Sequence, residues 1–424
     1  MKSKFCGAGH RTKKHPFLTQ LFNFIFLSGA GHRLLIIPFV FHFNLDGLRY
    51  DTLKKNLEAG RLPNIQKYLV DEGAWYHRAV TVFPSVSTSA YASFYTGLPP
   101  AESGVPFLEW YDRRTHKVTG YLSLGGKKKL GRDLRGPTLF EELAPYGTAA
   151  IYNPFERGAQ IKIPKKFPWR VSWETGVLHD GTALDRNALR KFTKLLQRPV
   201  DDWPHFISTA LFSTDYLGHH DGPQSGAIDD NLQKFDLFLG ELMQMLIQKG
   251  LSDQTYLLIT SDHGMHATQK HFNLKKRLKK AGFTSKDFYL SNRGVSTNFL
   301  YLLGDKKEGL IETLQQQPEI EWLAIRDGTE TRILAVSGAP NAVVDAVFQL
   351  QHIFDDERSG DILIQLKPPW LFRKDKNGTH GSLSDEDMQI VFMMRGPRVQ
   401  PGPRGFARST EVYSLIHSWF SEEK

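Results

Sequence analysis

Apolar runs that end in an aspartate constrain the fold of this 424-residue chain more than any other feature. Residues 34–44, 205–212 and 255–261 are rich in aliphatic and aromatic side chains, which is typical of strands buried on both faces. The aspartates that follow these runs are Asp46, Asp215 and Asp262. Open α/β sheets place their chemistry at the carboxyl ends of their strands, so we expect the three aspartates to lie near one site.

The segment between the second and third runs has the period of a helix. Its apolar residues recur at steps of three and four, at Ile228, Leu232, Phe235, Leu239, Leu242 and Leu246. This spacing predicts an amphipathic helix. We predict further helices at 63–72 and after Ser409, and further strands at 75–82 and 389–394. The strand, helix, strand order predicts an α/β fold with a central, mostly parallel sheet between helices.

Residues 267–372 show a different mixture of elements. Short strands are predicted at 297–303 and 321–326, and a helix at 341–349. We interpret this stretch as a small α+β cap inserted into the fold. The catalytic core then comprises residues 34–266 and 373–424.

The first 33 residues are expected to lie outside the fold. They contain six basic residues and no acidic one, at Lys2, Lys4, Arg11, Lys13, Lys14 and Arg33. A basic start, an apolar stretch over 17–27 and small residues at 28–31 resemble a weak signal peptide. This pattern suggests a periplasmic or secreted protein, with a cytoplasmic one as the alternative. The stretch is too short and too polar to predict a stable membrane span.

Charge and cysteine content restrict the partners of the chain. The formal net charge is +9, and subtracting the six leader charges leaves about +3 for the body, so we expect no specific nucleic-acid partner. Cys6 is the only cysteine, which excludes an intramolecular disulfide and a cysteine-built zinc site. A bound metal would therefore need histidines and carboxylates.

Four short segments supply such ligands. Asp215 and His219 are four residues apart, a spacing that reaches one cation if the backbone forms a helical turn or a tight loop. Asp262 and His263 follow a strand directly, and Asp46 and His380 are further ligand-type residues beside glycines. Each segment alone has a plain interpretation as a helix cap or a solvated loop. Together they provide enough ligands for two divalent cations, with zinc favoured and manganese or iron as alternatives.

A hydroxyl-rich segment, residues 85–96, precedes a predicted helix. Such hydroxyls commonly cap helix N-termini, and this explains one or two of them. The alternative is that one hydroxyl at the helix N-terminus acts as a nucleophile, because the helix dipole and a metal both favour its negative charge.

At these residues the sequence resembles the alkaline phosphatase superfamily, on its type I phosphodiesterase/nucleotide pyrophosphatase branch. The matching motifs are Asp-x-x-Gly-His-x-x-Gly-Pro at 215–223, Ser-Asp-His-Gly-Met at 261–265 and Gly-Thr-His-Gly at 378–381. The resemblance implies one metal held by Asp215, His219 and His380, and a second held by Asp46, Asp262, His263 and the nucleophile. An ungapped count implies that Ser87 is this nucleophile, with Thr88 as its rival by one position.

The chain departs from the family pattern at two positions. Leu108 stands where the family has an asparagine that donates to a phosphate oxygen, and Ser103 replaces a histidine. Loss of one such donor can cost about 10²–10³ in rate. The aromatic residues Phe107, Trp110 and Tyr111 are candidates for a platform under a base or aryl group, with packing between cap and core as the alternative.

The resemblance predicts a metal-dependent phosphoric ester hydrolase of the phosphodiesterase/nucleotide pyrophosphatase kind. It would act on small phosphate esters or nucleotides through a phospho-serine intermediate at a dimetal site. Two alternatives remain at this point: a phosphomonoesterase with the same metals, and a catalytically weak binding protein on the same fold. The sequence does not specify the leaving group or the oligomeric state.

Overall fold

The protein is described by a computed structural model that covers residues 37–122, 125–165, 180–338, 345–374 and 377–421. The leader predicted at 1–33 and part of the helix predicted at 341–349 lie outside these ranges. Within them, no helix combines the length and the apolar character that crossing a membrane requires.

A nine-stranded sheet, here called the central sheet, forms the core of the fold. In spatial order its strands are Gln389–Ile390, Ala74–Val80, Phe392–Arg395, Thr255–Thr260, Phe39–Leu45, Phe206–Leu211, Thr148–Ile151 and Ile161–Ile163, with Gly402–Arg408 also paired to Ala74–Val80. The middle strand, Phe39–Leu45, pairs in parallel with both of its neighbours. Within the central sheet, the antiparallel pairs of named strands all involve Gln389–Ile390 or Phe392–Arg395. The predicted mostly parallel α/β sheet is confirmed.

Helices cover both faces of the central sheet. Among the described residues the α-helices, including those that pack elsewhere, are Tyr50–Glu58, Pro63–Ile65, Ser87–Thr96, Pro100–Ser103, Gly126–Asp133, Leu139–Glu142, Ala183–Leu196, Ser213–Asp221, Gly226–Gln248, Leu274–Lys280, Lys307–Gln315, Ala346–Gln351, Asp385–Met388 and Glu411–Phe420. Alternate side chains of the middle strand explain this layering: Phe41 and Phe43 pack with one set of helices, whereas Val40 packs with the other. The buried face of Gly226–Gln248 contains all six apolar residues that predicted it.

Two predicted elements differ from the observed ones. The helix predicted at 63–72 begins as an α-helix at Pro63–Ile65 and continues as a π-helical segment, Gln66–Asp71. The strand predicted at 389–394 is divided at Val391, because the Val391 N–H donates to the Ser261 hydroxyl (2.9 Å) while the Ser261 N–H donates to the Val391 carbonyl (3.0 Å).

A separate five-stranded antiparallel sheet, the second sheet, lies within residues 288–366. Its strands are Phe288–Leu290, Thr297–Leu302, Ile362–Leu366, Ile320–Asp327 and Glu330–Ala335, in that order across the sheet. Phe299, Tyr301 and Trp322 on one face pack against Phe83 and Phe107 beside the start of the helix Ser87–Thr96. This helix is called the serine helix below.

Short strand pairs connect the returning chain to the core. His266–Ala267 pairs with Gly378–Thr379, and Lys270–His271 pairs with Trp370–Leu371. These pairs hold Trp370–Leu371 and Gly378–Thr379 against the segment that follows the strand Thr255–Thr260.

Candidate metal centre

The first ligand cluster combines Asp215, His219 and His380. Asp215 and His219 lie one turn apart in the helix Ser213–Asp221, so the helical alternative of the sequence interpretation is the observed one. The Nε2 atoms of His219 and His380 lie 3.4 and 3.8 Å from Oδ1 of Asp215. One cation can therefore contact a ligand atom of each residue.

The second cluster combines Asp46, Asp262 and His263 with Ser87. The His263 Nε2 lies 3.7 Å from Asp46 Oδ1 and 3.4 Å from Asp262 Oδ2, and 3.1 Å from the Ser87 hydroxyl oxygen. Atoms of Asp46, Asp215 and His263 also lie within 4.8 Å of one another, so the two clusters adjoin at Asp215. The structure thus brings together all seven residues that the sequence singled out.

Each of the three histidines is oriented by a backbone carbonyl. The Nδ1 atoms of His219, His263 and His380 lie 2.7, 2.8 and 2.9 Å from the carbonyl oxygens of Gly378, Gly264 and Ser85. A carbonyl only accepts, so Nδ1 carries the proton and donates it. In the neutral ring the Nε2 lone pair then points toward the carboxylates, as a metal-ligating imidazole requires.

Asp46 and Asp262 are buried, Asp215 is half-buried, and the hydrogen-bonding capacity of all three carboxylates is incompletely satisfied. Both oxygens of Asp46, Oδ1 of Asp215 and Oδ2 of Asp262 accept no hydrogen bond from the described residues. Burial, and then the charges of Asp262 and Asp215, raise the pKa of Asp46 well above its ordinary value. Buried unpaired carboxylates are costly unless a cation binds them.

The spacing of the ligand atoms fits a cation better than direct hydrogen bonds. Tetrahedral ligands at bond lengths of 2.0–2.1 Å lie about 3.3 Å from one another. The observed imidazole-to-carboxylate distances of 3.4–3.8 Å are close to this value. The donor set of imidazole and carboxylate without thiolate suits zinc.

Close backbone approaches shape the site. Gly47 has φ of +71°, and a Cβ there would lie 2.9 Å from the Asp215 Cα. The Gly47 N–H also donates to Oδ1 of Asp262 (3.1 Å). A Cβ on Gly264 would lie 1.9 Å from the Glu386 carbonyl. Both glycines follow a predicted ligand residue, so their lack of a side chain allows the ligand segments to meet.

The serine helix begins at Ser87, after Val86, which supplies no side-chain cap. The first amides of a helix have no intrahelical acceptor and favour an anion. Ser85 links this helix start to the His380 segment, because its hydroxyl donates to the Ser382 carbonyl (2.7 Å). Thr88 also lines the cleft, but its buried hydroxyl has no hydrogen-bond partner among the described residues.

A cleft of about 400 Å³ opens onto the clusters. Ser87, Asp46, Asp215, His219 and His380 line one end of it, and its aromatic lining consists of Tyr121, Phe155, Phe212 and Tyr216. Leu108 also faces the cleft and offers no donor there. The hydroxyl of Ser103, the other departure from the family pattern, is buried and accepts from the Val105 N–H (3.3 Å).

The predicted aromatic platform takes the alternative role of packing. Phe107 contacts Phe299 edge to face, with ring centroids 5.5 Å apart, and Tyr111 stacks on Tyr289 at 4.6 Å. Trp110 donates from Nε1 to Asp133 (3.0 Å). The rings of Phe107 and Tyr111 therefore face the second sheet and Trp110 contacts Asp133, and none of the three lines the cleft.

Two basic residues in the cleft were missed by the sequence interpretation. Lys127 lines the cleft and forms an ion pair with Glu156 (2.8 Å), whereas Arg373 lines it close to Asp215 and His380. The only sequence signal for Arg373 is its position seven residues before His380, which is too weak to assign a role.

The fold and the clustered ligands define a protein of the alkaline-phosphatase-like class. A family model described as "Type I phosphodiesterase / nucleotide pyrophosphatase" matches residues 40–390, and the chain belongs to this family. The resemblance stated from the motifs is thereby confirmed.

Relatives in sequence and structure agree with this assignment. Human ectonucleotide pyrophosphatase/phosphodiesterase family member 1 is 29% identical over 56% of this chain and 24% of its own length. Venom phosphodiesterase of Naja atra is 24% identical over 88% of this chain and 42% of its own length. The chain thus spans less than half the length of either protein. These names describe hydrolases of phosphate ester bonds, the enzyme class that the sequence predicted.

The same fold occurs in solved structures. Murine ectonucleotide pyrophosphatase/phosphodiesterase 5 superposes with a TM-score of 0.65 over 90% of this chain and 94% of that protein, at 18% identity. An inactive variant of the murine protein in complex with AMP gives a TM-score of 0.66 at 17% identity.

Proposed function

We propose that this protein is a metal-dependent phosphodiesterase that uses Ser87 as its nucleophile. The observation that carries the proposal is the contact between the Ser87 hydroxyl and His263 Nε2 at the start of the serine helix. Beside it, both carboxylate oxygens of Asp46 and Oδ2 of Asp262 accept no hydrogen bond from the described residues. This is the arrangement expected of a hydroxyl nucleophile next to a cation site.

The proposed cofactor is a pair of divalent cations, with zinc favoured by the ligand types. Asp215, His219 and His380 would hold one ion. Asp46, Asp262, His263 and Ser87 would hold the other. Two such ions stabilise negative charge on the attacking and leaving oxygens of an in-line displacement.

The residues of the chain perform the remaining tasks. The free amides at the start of the serine helix orient the phosphate toward Ser87. The Ser87 oxygen attacks phosphorus, and the leaving oxygen departs with its electron pair, so that the phosphoryl group is bonded to Ser87. Water then attacks the same phosphorus and releases the serine. Two in-line steps give overall retention of configuration at phosphorus.

A nucleotide is the proposed substrate class. Relatives are named nucleotide pyrophosphatases, and the related murine structure was described in complex with AMP. The cleft offers Tyr121 and Phe212 as aromatic surfaces for a base. Residues 267–372 would form a cap on the catalytic core. The protein would act outside the cytoplasm, as the names "ectonucleotide" and "venom" suggest for the relatives.

The test compares a diester with a monoester that share one leaving group. Purified protein is treated with chelator, reloaded with zinc and assayed on bis(p-nitrophenyl) phosphate and p-nitrophenyl phosphate. We expect zinc to restore turnover and kcat/KM to be higher for the diester. A higher kcat/KM for the monoester would identify a phosphomonoesterase, and bound zinc without turnover of either ester would identify a binding protein.

A further inference from the structure

We propose that Arg373 binds a non-bridging oxygen of the substrate phosphoryl group and thereby replaces the donor that is missing at Leu108. The inference rests on the proposed function, because it names a residue that contacts the phosphate in that reaction. Three observations and one chemical argument support it. The observations are the position of Arg373, its lack of a hydrogen bond or ion pair among the described residues, and the apolar side chain of Leu108; the argument is the affinity of guanidinium for phosphate oxygens.

The backbone places Arg373 at the wall of the cleft. Trp370–Leu371 pairs with Lys270–His271, and the N–H of Phe372 donates to the Val295 carbonyl (2.9 Å). The Arg373 side chain is half-buried and lines the same cleft as Ser87 and His380. A short anchored strand therefore fixes the start of this side chain beside the ligand clusters.

The guanidinium of Arg373 has no partner of its own in the described part of the chain. It makes no hydrogen bond and no ion pair there, in contrast to Lys127, which contacts Glu156. Burial lowers the pKa of Arg373, the nearby Asp215 raises it, and Arg293 lowers it again. A half-buried cation without a bonded counter-charge is costly, so an anion that enters the cleft would be stabilised by it.

Asp215 does not neutralise the charge of Arg373 once the metal ions are bound. In the proposed function Asp215 binds a cation, which leaves Arg373 next to positive charge. A phosphodiester brings a negative charge and two non-bridging oxygens to this place. The substrate is therefore the anion whose chemistry fits the unpaired guanidinium.

Leu108 makes such a donor necessary. Its side chain lines the same cleft as Ser87 and is 4% exposed, so this part of the cleft wall is apolar. An apolar residue gives no hydrogen bond to developing charge, and loss of one donor costs about 10²–10³ in rate. The planar guanidinium of arginine donates in pairs to phosphate oxygens, which a lysine ammonium cannot do.

The experiment compares Arg373→Met with Lys374→Met in the zinc-loaded protein. Lys374 is the exposed neighbour of Arg373 and does not line the cleft, so it controls for removal of a positive charge from this segment. Titration calorimetry measures the binding of inorganic phosphate, and steady-state assays on the diester give kcat and KM. Elemental analysis measures the zinc content of each variant. Arg373→Gln serves the same purpose if the methionine variant does not fold.

We expect Arg373→Met to weaken phosphate binding about 10- to 100-fold and to lower kcat/KM about 10²-fold, with zinc content unchanged. Lys374→Met should stay within about twofold of the parent protein, and Arg373→Lys should retain part of the phosphate affinity because it keeps the charge. Leu108→Asn should raise the activity of Arg373→Met more than that of the parent, since both residues would serve the same phosphate.

Two results would overturn the inference while leaving the proposed function intact: phosphate affinity of Arg373→Met equal to that of Lys374→Met, or loss of zinc in Arg373→Met, which would assign the residue to the metal site. If the parent protein binds zinc and phosphate but turns over no ester, the proposed function is wrong. The phosphate affinity of Arg373→Met then still tests the anion site.

Discussion

His263 and His380 stack face to face, with ring centroids 3.7 Å apart and ring planes inclined by 12°. His263 precedes the second sheet in the sequence and His380 follows it. Their Nε2 atoms face different carboxylates, those of Asp46 and Asp215. Burial, and then the proximity of His263 and His219, lower the pKa of His380 well below its ordinary value. The low pKa keeps the His380 ring neutral, which is the form that binds a metal.

The Ser87 hydroxyl should be essential for turnover. Ser87→Ala removes the attacking oxygen, so we expect kcat to fall by several orders of magnitude. Thr88→Ala is the matched control, because Thr88 lines the same cleft without contacting His263. Acid trapping during turnover followed by peptide mapping should find the phosphoryl group on Ser87. Label on Thr88 would show that the alignment is wrong by one residue.

Removal of a ligand should lower metal content and stability together. The parent protein should bind about two zinc ions, and His219→Ala or Asp262→Ala should lower this number and abolish turnover. His220→Ala controls for the loss of a histidine from the same helix, since the exposed His220 contacts Asp221 instead (2.6 Å). Elemental analysis and thermal unfolding with and without chelator measure both effects. Unchanged zinc content in both ligand variants would exclude the assigned site.

The space beside Gly47 should be required for the site to form. Gly47→Ala combines an unfavourable φ of +71° with a Cβ 2.9 Å from the Asp215 backbone, so we expect lower stability and weaker zinc binding. Gly60→Ala shares the positive φ, but its Cβ would meet no atom within 4 Å. That control should cost only about 1–2 kcal/mol and leave zinc affinity unchanged. Equal zinc affinities of the two variants would contradict the packing argument.

His42 should make stability depend on pH. It is fully buried in the middle strand, bonded to Ser208 (3.0 Å) and Thr260 (2.9 Å), and burial lowers its pKa from 6.5 to about 3. As the pH falls, His42 therefore binds a proton at a higher pH in the unfolded chain than in the folded one. The stability contributed by neutral His42 is complete above pH 6.5 and is lost progressively between pH 6.5 and about 3.

His42→Gln keeps hydrogen-bonding groups in this position but cannot titrate. The difference in unfolding free energy between parent and variant, measured in urea at pH 7 and pH 5, should change by about 2 kcal/mol in favour of the variant at pH 5. A difference that is the same at both pH values would show that His42 is accessible to protons in the folded state.

The residues of the candidate site could be singled out from the sequence because they lie at the ends of predicted elements and in motifs that resemble the family. Apolar runs predicted the strands that end before Asp46 and Asp262, and the four-residue spacing of Asp215 and His219 is one turn of the observed helix. These patterns depend only on the side-chain periods of strands and helices. Because the strands pair in parallel, their carboxyl ends lie at the same edge of the sheet.

Tertiary structure decided the features that depend on contacts between distant segments. Tyr111 stacks on Tyr289 of the second sheet, so it packs between layers and supports no ligand. The carbonyl of Gly378 selects the tautomer of His219, and the pairing of Trp370–Leu371 with Lys270–His271 brings Arg373 into the cleft. Such contacts cannot be predicted from the local periodicity of the sequence, because they depend on the path that the chain takes between elements. Local sequence patterns therefore predicted the sheet and the candidate ligand residues, whereas contacts between distant segments determine which side chains surround those residues.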